Sequence, residues 1–145
     1  MKGQVLAVSI SEKKGTIKKP VESIELVEDM GVKGDAHFGY KPRQVSILAW
    51  EEVEQVFPSP QDVGISFGAF AENIAIKGIH CEKFKVGVRL KIGDAELEIT
   101  QIGKDEAHGG PVERKLGTRI MPTYGLFCKV LKGGVVRAGS SVVIL

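Results

Sequence analysis

Short apolar runs alternate with polar, glycine-rich segments along most of the chain. Runs of this length, bounded by glycine, proline and polar clusters, are typical of β-strands. The predicted strands are residues 4–10, 21–27, 44–48, 70–76, 88–92, 95–100, 124–131 and 141–145. Many short strands with few helices predict a mainly β fold, a closed β-barrel of mostly antiparallel strands with one or two short helices.

Residues 49–57 carry the clearest helical pattern. Apolar residues recur there at spacings of three and four and form one face, which is made by Trp50, Val53 and Phe57. We expect the acidic residues to point away from that face, namely Glu51, Glu52 and Glu54. Pro58 ends the predicted helix, and a second short helix is predicted around residues 112–116.

Composition adds limits to this picture. The 145 residues are 43% apolar and 26% charged, with a formal net charge of +2, and we expect a single domain over residues 1–145. The charge excess is too small to indicate nucleic-acid binding. Because no apolar stretch is long enough for a bilayer and no signal-peptide pattern is present, we expect a cytoplasmic protein without membrane partners.

One basic cluster follows the first predicted strand. It consists of Lys13, Lys14, Lys18 and Lys19. We interpret it as a solvated surface loop. The alternative is a docking patch for an acidic protein or a phosphate.

The most informative segment is the glycine loop of residues 31–39 and the strand start after it. Gly31, Gly34 and Gly39 permit backbone turns that other residues resist. The side chains that could converge there on a polar or anionic ligand are Asp35, His37, Arg43 and Gln44. The alternative is a plain turn in which Asp35 caps backbone amides and Arg43 forms a surface ion pair.

Two further segments combine polar groups with a strand end. Glu72 and Asn73 could present an acceptor and an amide to a pterin-like or purine-like ring, or Asn73 could simply bond local backbone at a strand entry. Residues 101–110 leave a strand and enter a polar loop, where Lys104 and His108 add positive or switchable charge together with Arg119. In this second segment the alternative is a solvated loop histidine.

The two cysteines, Cys81 and Cys128, form no CxxC pair, so a zinc knuckle or thioredoxin-type site is not expected. Cys81 lies in a connection between elements. Cys128 lies within a predicted apolar strand, where cysteine usually acts as an inert small hydrophobe. Cys128 is therefore a weak candidate nucleophile, no other catalytic residue is assigned, and no metal site is predicted.

These segments, in this order, resemble the MOSC domain, the family named for the C-terminal domain of eukaryotic molybdenum-cofactor sulfurases. The glycine loop with residues 43–46 is similar to the family's Gly-Asp-x-His loop and strand, and residues 71–74 to its Glu-Asn segment. Residues 86–93, 124–127 and 132–136 resemble its hairpin opening and closing strands. The resemblance implies a β-barrel like that of pyruvate kinase and a role around molybdenum-cofactor or sulfur metabolism.

The positions carried over from the family are Gly34, Asp35, His37, Arg43, Gln44, Glu72 and Asn73. The resemblance implies a pterin-type ligand such as the molybdenum cofactor, and a cysteine desulfurase or a molybdoenzyme as protein partner. Family members that carry sulfur have cysteines in the loop after the strand of residues 95–100. Here Glu106 and Gly110 stand at those positions, which excludes a persulfide in that loop. The chain has no room for the domain that binds pyridoxal phosphate in the eukaryotic proteins.

Three hypotheses follow from the sequence. The first is a domain that binds the molybdenum cofactor or a precursor, with Arg43 and Lys104 at the phosphate, the acid and amide residues at the pterin edges, and His37 and His108 at the metal end. The second is an enzyme, either a sulfurtransferase that uses Cys128 or a component of a system reducing N-hydroxylated substrates. The third is a non-catalytic interaction module with a decayed site.

Overall fold

The computed structural model describes residues 2–40, 43–104 and 110–145. These residues form eleven strands and three α-helices. The strands are β1 (Lys2–Ile10), β2 (Lys19–Val21), β3 (Ser23–Val27), β4 (Gly31–Val32), β5 (Val45–Ala49), β6 (Ile74–Lys77), β7 (Arg89–Ile92), β8 (Ala95–Ile102), β9 (Leu126–Lys132), β10 (Gly134–Arg137) and β11 (Ser141–Ile144). The helices are α1 (Trp50–Val56), α2 (Pro111–Leu116) and α3 (Ile120–Tyr124), with 3-10 turns at Pro60–Val63 and Cys81–Lys83.

Seven of the strands in the described part of the chain close into a barrel. The order around it is β1, β11, β7, β8, β9, β5 and β6, and β6 pairs again with β1. All neighbours are antiparallel except β5 and β6, which run parallel with Ile47 opposite Ile74. The expected closed barrel of mostly antiparallel strands is therefore confirmed. Strand β2 extends the sheet beyond β1, and β10, β3 and β4 form a small second sheet.

Two apolar clusters hold these layers together. The first fills the barrel and includes Ile47, Leu97 and Cys128, together with Leu26 and Val136 of the small sheet. The second lies outside the barrel, beneath the helices, and includes Trp50, Phe70, Ile120 and Phe127. Apolar residues on both faces of β5 are buried, because the barrel interior covers one face and the helices cover the other. Phe127 thereby lies between the barrel and the helical layer.

Several predicted boundaries were wrong, each for a local reason. Helix α1 forms as expected, but Glu52, which was expected to point away from the apolar face, is buried. The strand predicted over residues 70–76 begins only at Ile74, since the preceding residues form a turn. Residues 21–27 contain two strands, and Tyr124 ends α3 rather than beginning a strand. Strand β10 begins at Gly134 and is absent from the strands predicted from apolar runs, although it overlaps residues 132–136, which resemble a closing strand of the family.

Candidate functional site

The glycine loop is fixed by the close approach of its backbone to the start of β5. Gly31 has φ +115°, and a Cβ at this position would lie 2.6 Å from the carbonyl oxygen of Gln44. Only glycine fits such a position without displacing the neighbouring backbone. Gly34 and Gly39 also have positive φ, so all three predicted turn glycines are confirmed. The loop carries Asp35 and His37 away from the small sheet.

Asp35 is buried and forms an ion pair with Lys18. The Lys18 Nζ donates to Asp35 Oδ1 at 2.8 Å, and the side chain of Lys18 is 1% exposed. The carboxylate also accepts from the backbone N–H groups of Ser11 and His37 at 3.1 Å. Burial by itself would raise the pKa of Asp35, but the hydrogen bonds from His37 and Lys18 and the charge of Lys18 hold it well below its usual range.

The Lys18–Asp35 ion pair corrects the interpretation of Lys18, and the backbone bonds of Asp35 confirm one interpretation of that residue. Lys18 was expected to be solvated with the rest of the basic cluster, whereas it is buried because a carboxylate 17 residues away neutralises it. The alternative for Asp35, a cap on backbone amides, is confirmed by the bonds from Ser11 and His37. Asp35 therefore holds the loop in place. The ring of His37 lies close to it, with Nδ1 3.6 Å from Asp35 Oδ2.

Glu72 has a comparable structural role in the turn before β6. Its two carboxylate oxygens accept from the backbone N–H groups of Gly68 at 2.8 Å and Phe70 at 3.1 Å. Ala71, which lies between Phe70 and Glu72, adopts φ +64°, a conformation that costs a non-glycine residue about 1–3 kcal/mol. Burial raises the pKa of Glu72 to about 7, against the opposing effect of those backbone bonds. The carboxyl group thus stabilises a strained turn.

Asn73 joins three strands of the barrel. Its Oδ1 accepts from the Ser46 N–H of β5 at 3.1 Å and from the Ser46 hydroxyl at 3.2 Å, and its Nδ2 donates to the Ser9 carbonyl of β1 at 3.1 Å. These partners lie 27 and 64 positions away, so the amide bonds distant rather than local backbone. Both ends of the amide are engaged within the protein.

Gln44, which directly precedes β5, also has both ends of its amide hydrogen-bonded within the protein. Its Oε1 accepts from the Val130 N–H of β9 at 2.9 Å, and its Nε2 donates to Asp29 at 3.2 Å. With 1% of its surface exposed, Gln44 has no face toward solvent. Its side chain connects β9 to the residues before the glycine loop and does not line the cavity described next.

A cavity of about 600 Å³ opens where the glycine loop, the turn before β6 and the helices meet. Ligand sites of small molecules typically span about 300–1,000 Å³. The residues that line it are Lys14, Gly15, His37, Tyr40, Arg43, Ser46, Phe70, Ala71, Asn73, Lys104, Gly110, Glu113, Arg114, Met121 and Phe127. The structure therefore brings together four of the predicted site residues, which are His37, Arg43, Asn73 and Lys104.

Cations and aromatic rings alternate along one side of this cavity. Lys14 Nζ lies 4.4 Å and Arg43 Cζ 5.6 Å from the centre of the Tyr40 ring. Arg43 Cζ also lies 5.7 Å, and Lys104 Nζ 6.0 Å, from the centre of the Phe127 ring. We call Lys14, Arg43, Lys104 and the lining residue Arg114 the cationic rim. Such an arrangement attracts anions electrostatically. Tyr40 is partly exposed and can stack with a flat ring, whereas Phe127 is buried beneath the cations.

Glu113 is the only carboxylate among the described residues that line the cavity. It is buried, and its oxygens accept from the backbone N–H groups of Gly110 at 3.1 Å and Met121 at 3.2 Å. Burial raises its pKa, while those backbone bonds and the charge of Lys104 act in the opposite direction. Glu113 thereby joins the start of α2 to α3.

The remaining predicted residues lie elsewhere. Gly34 is an exposed turn residue, and Arg119 is exposed at the start of α3; neither lines the cavity. His108 lies outside the described residues. In the described part of the chain, no group of three or more His, Cys, Asp or Glu side chains could hold a metal ion.

The two thiols have opposite environments. Cys128 is fully buried in the barrel core, and burial raises its pKa far above the ordinary value. A nucleophilic thiol requires exposure and a lowered pKa, so the geometry opposes Cys128 as the nucleophile of a sulfurtransferase. Cys81 is exposed, and a hydrogen bond with Glu52 raises its pKa.

Sequence reasoning missed several lining residues. Tyr40 and Phe127 supply the rings that the cations contact, and Arg114 and Glu113 come from a helix that was predicted without a function. Lys14 was noticed only as part of a basic cluster. The spacing of Lys14 and Lys18 gives no sign that one lines a cavity and the other is buried.

Fold and site together define a closed β-barrel protein with a cation-lined cavity beside the barrel. The chain belongs to the MOSC domain family, whose model, described as the MOSC domain, matches residues 33–104. This segment begins within the glycine loop, ends at Lys104 and contains strands β5, β6, β7 and β8. No curated protein matches the sequence.

Solved structures share the fold at low sequence identity. The YuaD protein from Bacillus subtilis is 20% identical with a TM-score of 0.70, over 98% of this chain and 94% of that one. YiiM from Geobacillus stearothermophilus is 18% identical with a TM-score of 0.71, over 99% and 75%. YiiM from Escherichia coli is 17% identical with a TM-score of 0.69, over 100% and 70%. At these identities the similarity concerns the fold alone.

Among the described residues, no helix is long and apolar enough to span a membrane.

Proposed function

We propose that this MOSC domain binds the molybdenum cofactor, or a phosphorylated pterin precursor of it, in the cavity bordered by the cationic rim. The observation that carries the proposal is the alternation of cations and rings from Lys14 through Tyr40, Arg43 and Phe127 to Lys104. A ligand that combines a phosphate with a flat ring matches both halves of that arrangement.

The residues fit the phosphate and the ring face of such a ligand. Arg43 and Lys104 would hold the phosphate, since both charges lie beside the Phe127 ring within the cavity. Tyr40 would offer its face to the ring, with 36% of its surface exposed. When bound, the cofactor would supply molybdenum chemistry, while these residues bind and orient it. Delivery to a partner enzyme would be the corresponding biological role.

The proposal assigns new roles to four of the sequence-predicted residues. Asp35, Gln44, Glu72 and Asn73 were expected to read the pterin edges, yet all four side chains are buried and hydrogen-bonded within the protein. They would instead hold the backbone that positions the cavity. The family signature would thus be mainly a structural one, with Arg43 and His37 as its ligand-facing members.

The test is the molybdenum and pterin content of the purified protein after co-expression with an intact cofactor pathway. The variant is Arg43→Ala/Lys104→Ala, and the matched control is Lys91→Ala/Arg137→Ala, which removes the same charge from exposed residues that do not line the cavity. We expect pterin in the wild type and the control, and a loss of at least about tenfold in the variant, because two charge-assisted contacts are removed.

Pterin retained by the variant would refute the assigned site. Absence of pterin from every sample would refute cofactor binding and favour the interaction module. For the sulfurtransferase alternative, Cys128→Ala is the decisive variant: persulfide formation that depends on Cys128 would contradict the burial of this thiol.

A further inference from the structure

The polar side chains of the cavity wall are committed to internal hydrogen bonds. Both ends of the Asn73 amide are bonded to other strands, as described above. The single proton of the Ser46 hydroxyl is shared between the Ala71 carbonyl and Asn73 Oδ1, both at 3.2 Å, and the hydroxyl oxygen accepts from the Asn73 N–H at 3.0 Å. Glu113 accepts two backbone N–H groups and is 1% exposed. The donors and acceptors of these three side chains are used within the protein. They are therefore not left to pair with the polar edge of a ligand ring.

Buried polar side chains are hydrogen-bonded throughout the described part of the chain. No buried side-chain nitrogen or oxygen there lacks a hydrogen-bond partner. A site built to read one heterocycle usually keeps a few placed donors and acceptors that the ligand completes. His37 also lines the cavity, and its Nδ1 lies 3.6 Å from Asp35 Oδ2. Its second nitrogen can form one hydrogen bond, as donor or as acceptor, and therefore adapts to different rings.

Among the described residues, the cavity therefore offers a ligand mainly positive charge and one partly exposed ring. The cationic rim supplies the charge. Tyr40, with 36% of its surface exposed, supplies a ring face, whereas Phe127 is buried against Arg43 and Lys104. Electrostatic attraction depends on the phosphate, and stacking depends on the area of the ring. Neither depends on the pattern of donors and acceptors around the ring edge.

We propose that the cavity recognises phosphorylated flat heterocycles as a class and does not discriminate between their rings. This inference rests on the proposed function, because it concerns the same cavity, and it extends the ligand class from pterins to flavin and purine monophosphates. Selection within the cell would then come from ligand supply or from the protein that presents the ligand.

The experiment measures dissociation constants by calorimetry for four phosphates and their unphosphorylated counterparts. The phosphates are 6-hydroxymethylpterin phosphate, flavin mononucleotide, guanosine 5′-monophosphate and adenosine 5′-monophosphate. The counterparts are 6-hydroxymethylpterin, riboflavin, guanosine and adenosine. We expect the four phosphates to bind within about fivefold of one another, and each unphosphorylated ring to bind at least about tenfold more weakly.

The variants make the cause of the pattern testable. Arg43→Ala/Lys104→Ala should weaken all four phosphates by a similar factor, and the Lys91→Ala/Arg137→Ala control should weaken none. Unchanged thermal unfolding of both variants would establish that they are folded. A uniform loss would support recognition through the phosphate, and a loss limited to one ring would overturn it.

Failure of this inference is distinguishable from failure of the proposed function. If one phosphate binds far more tightly than the other three, approaching the roughly 10⁴-fold discrimination of a site that pairs with a ring edge, class recognition is refuted and the cavity remains a ligand site. If none of the phosphates binds, both the inference and the proposed function are refuted.

Discussion

Glu72→Gln provides a direct test of the claim that the buried acid of the family signature has a structural role. Ordinary glutamate has a pKa of 4.5, and burial raises that of Glu72 to about 7. The native state therefore holds this proton more tightly than the unfolded chain does. As the pH rises from 4.5 to about 7, the unfolded chain releases the proton first, and the free energy of unfolding falls.

The size of the effect follows from the same values. At about 1.4 kcal/mol for each pH unit between the two pKa values, Glu72 lowers the stability by about 3 kcal/mol across this range. Glutamine keeps the shape but cannot ionise, and it resembles the protonated acid in offering one good acceptor to Gly68 and Phe70. We expect Glu72→Gln to lie within about 1–2 kcal/mol of the wild type at pH 4.5, and to gain about 3 kcal/mol relative to it by about pH 8.

The assay is urea unfolding at a series of pH values, followed by circular dichroism. Glu54→Gln is the matched control, since Glu54 is an exposed residue of α1 and its loss should leave the pH dependence of the wild type unchanged. Parallel curves for the wild type and Glu72→Gln would refute the reasoning, because they would mean that Glu72 titrates as a solvated carboxyl group.

Three further predictions concern stability and thiol chemistry. Lys18→Met should cost about 3–5 kcal/mol in urea unfolding, because it leaves Asp35 charged and buried, and adding Asp35→Leu should recover part of that loss; a cost below about 1 kcal/mol would contradict the ion pair. Gly68→Ala should lower the thermal unfolding temperature, since a Cβ would overlap the Lys18 carbonyl oxygen at a positive φ, and an unchanged temperature would argue against that contact. In native protein a thiol reagent should modify Cys81 alone, as counted by mass spectrometry, and modification of Cys128 without denaturant would contradict its burial.

The barrel could be predicted because its strands are local patterns. Short apolar runs between glycine and polar clusters mark most strand positions, and β7 and β8 lie where the alternation of charged and apolar residues placed them. The pattern of apolar runs missed β10, because this strand begins with a glycine and has only two apolar residues, and only the family resemblance marked residues 132–136 as a strand. The turn before β6 was missed for a different reason: it is held by the side chain of Glu72, and its residues are as apolar as a strand.

The site was only partly predictable because its members come from distant segments. Arg43 and Lys104 were paired only through the family resemblance, and nothing local marks Lys14 and Arg114 as their neighbours. The signature itself was found, but its acids and amides looked like ligand-binding groups. Only the partners of Asn73, 27 and 64 positions away, reveal that its amide connects strands.

The most direct test of the central claim is a crystal structure of the protein with 6-hydroxymethylpterin phosphate. We expect the ligand in the cavity, with phosphate oxygens within hydrogen-bond distance of Arg43 or Lys104, and the amide of Asn73 still bonded to Ser46 and Ser9. A ligand bound outside the cavity, or one whose ring is held by the amides of Asn73 or Gln44 after their internal bonds have broken, would contradict the claim that the cations form the site and the buried polar residues hold its frame.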